Sequence, residues 1–122
     1  MEAQKFSLGK RVKSFHFAFS GLRHFFTTQH NAIVHAVATA AVVTLSVMLH
    51  LPPGKWLVIA FAIGLVWMAE LFNTAIELLC DMVCPTQHPT IKYIKDLSAA
   101  AVLVTALLAV VTACIIFIPA LL

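Results

Sequence analysis

The chain has 122 residues, 61% of them hydrophobic and only 11% charged, with a formal net charge of +3 and a mean hydropathy of +0.98. A single domain of this size in water could not hide so much apolar surface, so the expected solvent is a bilayer. The basic excess points to anionic head groups or phosphates; nucleic acid is not an expected partner, because no basic stripe remains once the apolar segments are set aside.

Residues 5–28 predict an amphipathic surface helix. Leu8, Val12, Phe15, Phe19, Leu22 and Phe26 recur at helical spacing, with Lys10, Lys13 and His24 opposite. Arg11 and Arg23 flank the stripe, where their stems can lie on apolar surface and their heads reach phosphates. Such a helix lies on a membrane, and packing the same stripe onto its own protein is compatible with that. Lys5, Lys10, Arg11 and Lys13 precede no continuous apolar run, so no cleavable signal is expected.

The first predicted span is 32–51, rich in Ala, Val and Leu. His35 and His50, near its ends, read as interfacial or hydrogen-bonded histidines rather than catalytic ones. Pro52-Pro53-Gly54-Lys55 predicts a tight turn. The second span is 56–83, opening on Trp56, an interface residue. Cys84-Pro85-Thr86-Gln87-His88-Pro89-Thr90 ends it, since two prolines in so short a stretch stop a helix. Residues 91–96 lead into a third span, 97–122, which carries no charge; Ser98, Ala99, Ala100 and Ala101 give it a small face for close helix approach. Cys80, Cys84 and His88 are spaced by four, but Pro85 breaks the helix that would align them, so zinc is not expected. Cys114 reads as a small hydrophobe, and no disulfide framework is implied. The Lys and Arg residues cluster at the N-terminus and in the second connection, which predicts a cytoplasmic N-terminus and an outside C-terminus.

The chemistry lies in Glu70-Leu71-Phe72-Asn73-Thr74-Ala75-Ile76-Glu77-Leu78-Leu79-Cys80-Asp81, which follows fourteen residues without a charged, amide or hydroxyl side chain. At about 100° per residue, Glu70, Asn73, Thr74, Glu77 and Asp81 share one helix face. A carboxylate at bilayer depth costs roughly 2.5–3.5 kcal/mol, so it needs a partner or a task. Polar groups can simply join helices, but three acids in register suggest a site for cations. At 1.5 Å per residue Glu70 lies about 21 Å in from Trp56, and Glu77 about 10 Å further, near the opposite head groups. The stripe thus climbs from bilayer depth to the interface, where a water-soluble reagent can meet a membrane-embedded one.

No phosphate-cradling glycine loop is present; Gly9, Gly21, Gly54 and Gly64 are scattered. Phosphoryl transfer still needs a metal held by carboxylates, a cation on the phosphates and a base for the acceptor hydroxyl. Glu77 fits Mg²⁺, Glu70 fits the base, Lys95 can neutralise phosphate charge and Asp96 can position it.

Glu-x-x-Asn-Thr-Ala-x-Glu-x-x-x-Asp, followed by Lys95-Asp96 and Ala99-Ala100-Ala101-Val102, resembles the small bacterial integral-membrane lipid kinases, the diacylglycerol kinases and their undecaprenol kinase relatives. The resemblance covers nearly the whole chain. It implies an all-α homotrimeric bundle, one surface helix plus three transmembrane helices per chain, with active sites shared between subunits. It implies transfer of the γ-phosphate of ATP to a membrane lipid alcohol, feeding phospholipid or cell-envelope lipid metabolism. Its proton acceptor matches Glu70 and its metal-binding Glu matches Glu77. Its nucleotide-contacting residues match His88, Lys95 and Asp96, with Asn73 and Asp81 as active-site polar groups. A basic residue of its surface helix matches Lys10 or Arg11. Two departures stand out. Gln29 occupies the place of a second metal carboxylate, and Phe17 stands where some relatives have tyrosine. His88-Pro89, with Asn31 and His35, resembles the undecaprenol branch more than the diacylglycerol branch. Two rival readings are a catalytically weak relative that binds nucleotide or lipid, motivated by Gln29, and a small cation-conducting oligomer lined by the acid stripe.

Overall fold

The computed structural model describes residues 3–122, and all of the regular structure in them is helical. Four helices follow in order: α1 (Leu8–Thr28), α2 (His30–Met48), α3 (Pro53–Val83) and α4 (Pro89–Leu121). The last three are long and apolar enough to cross a membrane. The chain divides into two compact units, Met1–Val34 and His35–Leu122, with the boundary inside α2.

In the first unit, α1 starts at Leu8 rather than residue 5, because Ser7 is the cap: its Oγ accepts from the Lys10 N–H at 3.4 Å. The residues of the expected apolar stripe Leu8, Val12, Phe15 and Phe19 are exposed, as are Lys10, Lys13 and His24 of the polar face. Phe25 alone on this helix is buried. Gln29 separates α1 from α2 with extended backbone (φ −108°, ψ 120°), its N–H donating to the Phe25 carbonyl at 3.0 Å.

The end of α2 differs from the expected span. The helix stops at Met48, and the reversal comes at Leu49–Pro52 rather than at Pro52–Lys55. The Leu51 N–H donates to the Ser46 carbonyl and the His50 N–H to the Val47 carbonyl, a Schellman closure. His50 takes its left-handed position at φ 51°, where glycine is usual. Pro53 then fits the first position of α3, and the Lys55 and Trp56 N–H groups bond back to Pro52. So Pro53, Gly54 and Lys55 belong to the helix that follows.

The larger correction concerns α4. It begins at Pro89, not Leu97, and so takes in Lys92, Lys95 and Asp96. Pro89 costs nothing at a first helical position, and His88 caps the end by accepting the Thr90 N–H at Nδ1, 3.1 Å. A span judged by apolar length misses these polar first turns.

The second unit is an antiparallel arrangement held at one end by apolar packing. Leu51, Ile59, Ile116 and Phe117 are buried together, with Val42, Leu45, Trp56 and Ile63 against them. Towards the other end the links become polar. The Trp67 indole N–H donates to Thr39 Oγ1 at 3.0 Å, and the acid face of α3 meets α2 and α4 beyond it.

Candidate active site

Along the shared face of α3, exposure rises from Glu70 towards Asp81. Glu70 is only 4% exposed; Asn73 and Glu77 are half-buried; Asp81 is exposed. A buried carboxylate needs a donor, and Glu70 has one: its Oε1 lies 2.8 Å from Nε2 of His35 on α2. One turn further, Ser98 Oγ on α4 donates to Asn73 Oδ1 at 2.7 Å. With its carbonyl occupied, the Asn73 amide keeps its two N–H donors for other partners.

At the open end, Lys95 Nζ lies 2.6 Å from Asp81 Oδ1 and Lys92 Nζ 2.6 Å from Asp96 Oδ2. Both pairs are substantially exposed, so solvent screens them and neither does much to hold the fold. They are available to rearrange around a charged ligand. Asp81, His88, Lys92, Lys95 and Asp96 line a cleft of about 750 Å³ where α3 passes into α4. The cap bond makes His88 Nδ1 an acceptor, so in the neutral ring Nε2 carries the proton and can donate into that cleft.

Glu77 has no hydrogen-bond or ion-pair partner among the described residues. No group of three or more His, Cys, Asp or Glu side chains that could hold a metal occurs among them either. Glu70 and Asp81 are both engaged, so the acids do not form a continuous row of unpaired charge.

The second unit thus gathers Glu70, Asn73, Glu77, Asp81, His88, Lys95 and Asp96 along one α3–α4 hairpin. Lys10, Arg11, Phe17 and Gln29 belong to the first unit. There Arg11 stacks its guanidinium 5.9 Å from the centre of the Phe6 ring, and Phe17 is exposed beside His16. Three side chains at the site carried no such role in the sequence reading: His35 on Glu70, Ser98 on Asn73 and Lys92 on Asp96. Lys92 was within reach, because it stands four residues before Asp96. The other two depend on register between helices.

Residues 16–117 match the prokaryotic diacylglycerol kinase family. The chain is 35% identical over 112 residues to the undecaprenol kinase of Bacillus subtilis, a match covering 92% of this chain and 91% of that one. It is 37% identical over 110 residues to the diacylglycerol kinase of Synechocystis sp., covering 89% of this chain but 63% of that longer relative. Three apolar helices and these likenesses define an integral-membrane kinase, a phosphotransferase with an alcohol group as acceptor. The chain belongs to the prokaryotic diacylglycerol kinase family.

Proposed function

We propose that this protein transfers the γ-phosphate of ATP to the hydroxyl of a membrane lipid alcohol, and that the alcohol is undecaprenol rather than diacylglycerol. The observation that carries the reaction is the graded acid face of α3, buried at Glu70 and open at Asp81 beside Lys95. Such a face can serve a lipid at one end and a nucleotide at the other. For the substrate, support comes from His88-Pro89, Asn31 and His35, and from a likeness that runs nearly the full length of a relative named undecaprenol kinase.

Glu70 is the base. The lipid hydroxyl oxygen bonds to the γ-phosphorus as its proton passes to the Glu70 carboxylate. The bond between that phosphorus and the bridging oxygen breaks, and the nucleoside diphosphate leaves. Asn73 orients the reacting groups with its free amide hydrogens. Lys95 leaves Asp81 for the phosphates, while His88 and Asp96 contact the nucleotide; the family resemblance adds Lys10 or Arg11, and Phe17 where some relatives have tyrosine, to the nucleotide-binding residues. Glu77 would hold Mg²⁺ with the ATP phosphates, and the ion would offset phosphate charge there; by the family resemblance, Gln29 stands where relatives place a second metal carboxylate. The working form is a homotrimer in the bacterial cytoplasmic membrane, N-terminus inside and C-terminus outside.

The test is purified protein in lipid discs with γ-labelled ATP, Mg²⁺ and a panel of lipid alcohols. Label should enter undecaprenol in preference to diacylglycerol, from particles whose mass corresponds to three chains. Preference for diacylglycerol would overturn the substrate assignment, and label in neither would overturn the reaction.

A further inference from the structure

The base assigned to Glu70 does not stand alone. Glu70 is 4% exposed, and one carboxylate oxygen, Oε1, is bonded at 2.8 Å to Nε2 of His35. The other, Oε2, has no hydrogen-bond partner among the described residues, yet no buried side-chain oxygen or nitrogen is left unpartnered. Oε2 therefore keeps an open side.

His35 is itself held. Its ring centre lies 6.1 Å from that of Trp67 at an interplanar angle of 59°. The Trp67 indole N–H donates to Thr39 Oγ1 at 3.0 Å. Thr39 stands one turn after His35 on α2, and Trp67 one turn before Glu70 on α3. Two polar links, a turn apart, thus clamp α2 to α3 at the base.

We propose that His35 is a positioning residue for phosphoryl transfer: its Nε2–H holds Oε1 of Glu70, so that the open oxygen Oε2 is the one presented to the acceptor hydroxyl. This rests on the reading of Glu70 as the base. His35 takes no proton from the substrate. It compensates a buried carboxylate and removes the rotation that would turn the reactive oxygen away. The Trp67–Thr39 link limits the tilt of the His35 ring, so the orientation is carried by a chain of contacts rather than by one bond.

The test compares His35→Ala, His35→Gln and His35→Asn in the full chain in lipid discs. A Gln amide nitrogen reaches the place of Nε2, whereas that of Asn reaches only the place of Nδ1. His35→Ala should lower kcat roughly 10- to 100-fold with little change in KM for ATP or lipid. His35→Gln should recover most of the loss and His35→Asn little. In a Glu70→Gln background, already inactive, His35→Ala should cause no further loss. An inactive Glu70→Gln enzyme beside a fully active His35→Ala enzyme would overturn the positioning role and leave the base intact. Near-normal turnover in Glu70→Gln would instead overturn the base. Where His35→Ala does not fold, ¹⁵N spectra of histidine-labelled wild-type protein decide. Nε2 of His35 should carry a proton and should respond to Glu70→Gln; an unprotonated Nε2 overturns the proposal.

Discussion

Lys95 and Asp81 sit on different helices, fourteen residues apart, with their charged atoms 2.6 Å from each other. The side chains remain 38% and 62% exposed, so the pair does little to hold α3 to α4. Lys95 lines the cleft, and on the proposed reading it exchanges Asp81 for the phosphates. Lys95→Met should weaken ATP use strongly and leave the fold alone. Loss of one charge-assisted hydrogen bond, about 1.5–3 kcal/mol, corresponds to a roughly 10- to 150-fold drop in kcat/KM for ATP. Thermal unfolding should shift little. A large fall in stability with unchanged nucleotide kinetics would make Lys95 a structural residue.

Ser98 gives a second, independent check, because it is buried and donates to Asn73. Ser98→Ala should cost about 1 kcal/mol of stability, in the range of hydrogen bonds between membrane helices. It should also lower turnover, since the Asn73 amide can then rotate. Ser98→Thr keeps the hydroxyl and should retain more activity than Ser98→Ala. Equal turnover in wild type and Ser98→Ala would remove Asn73 orientation from the mechanism.

Gln29 is the departure with the clearest electrostatic consequence. Where relatives are expected to place a carboxylate near the metal, this chain has a neutral amide. At ~4 Å and an effective dielectric of ~20, one charge–charge interaction is about 4 kcal/mol, much of it offset by desolvation. Gln29→Glu should therefore lower the Mg²⁺ concentration for half-maximal rate while lipid affinity stays the same. An unchanged Mg²⁺ dependence would take Gln29 out of the metal's surroundings.

His50 tests the fold rather than the site. It closes α2 at φ 51°, where a side chain costs roughly 1–2 kcal/mol and glycine does not. Because glycine also loses more chain entropy on folding, His50→Gly should stabilise by somewhat less, up to about 1 kcal/mol. Thermal unfolding in discs reads this directly. Destabilisation would show that the imidazole makes a contact worth more than the strain it brings.

The helix inventory and the acid face were legible because each rests on local pattern. Fourteen residues without a charged, amide or hydroxyl side chain followed by Glu70, Asn73, Glu77 and Asp81 can be read from spacing alone. Helix ends were less legible. Pro89 looked like a breaker but serves as the first residue of α4, and His50 carries a left-handed turn that composition would assign to glycine. The supporting bonds at the site were hidden for another reason. His35–Glu70 and Ser98–Asn73 join residues 35 and 25 positions apart, and whether they meet depends on how the helices are set against one another. His35 was expected to be either interfacial or hydrogen-bonded, and it is hydrogen-bonded; its partner could not be read from either segment by itself.

The measurement that bears most directly on the assignment is label transfer from γ-labelled ATP to undecaprenol by wild type and Glu70→Gln, with nucleotide binding followed on the same preparations. Removal of a general base costs roughly 10²- to 10⁴-fold. Wild type should phosphorylate the lipid, and Glu70→Gln should bind nucleotide as wild type does while its turnover falls by at least about 100-fold. Turnover within a few-fold of wild type in Glu70→Gln would contradict the mechanism built on this residue.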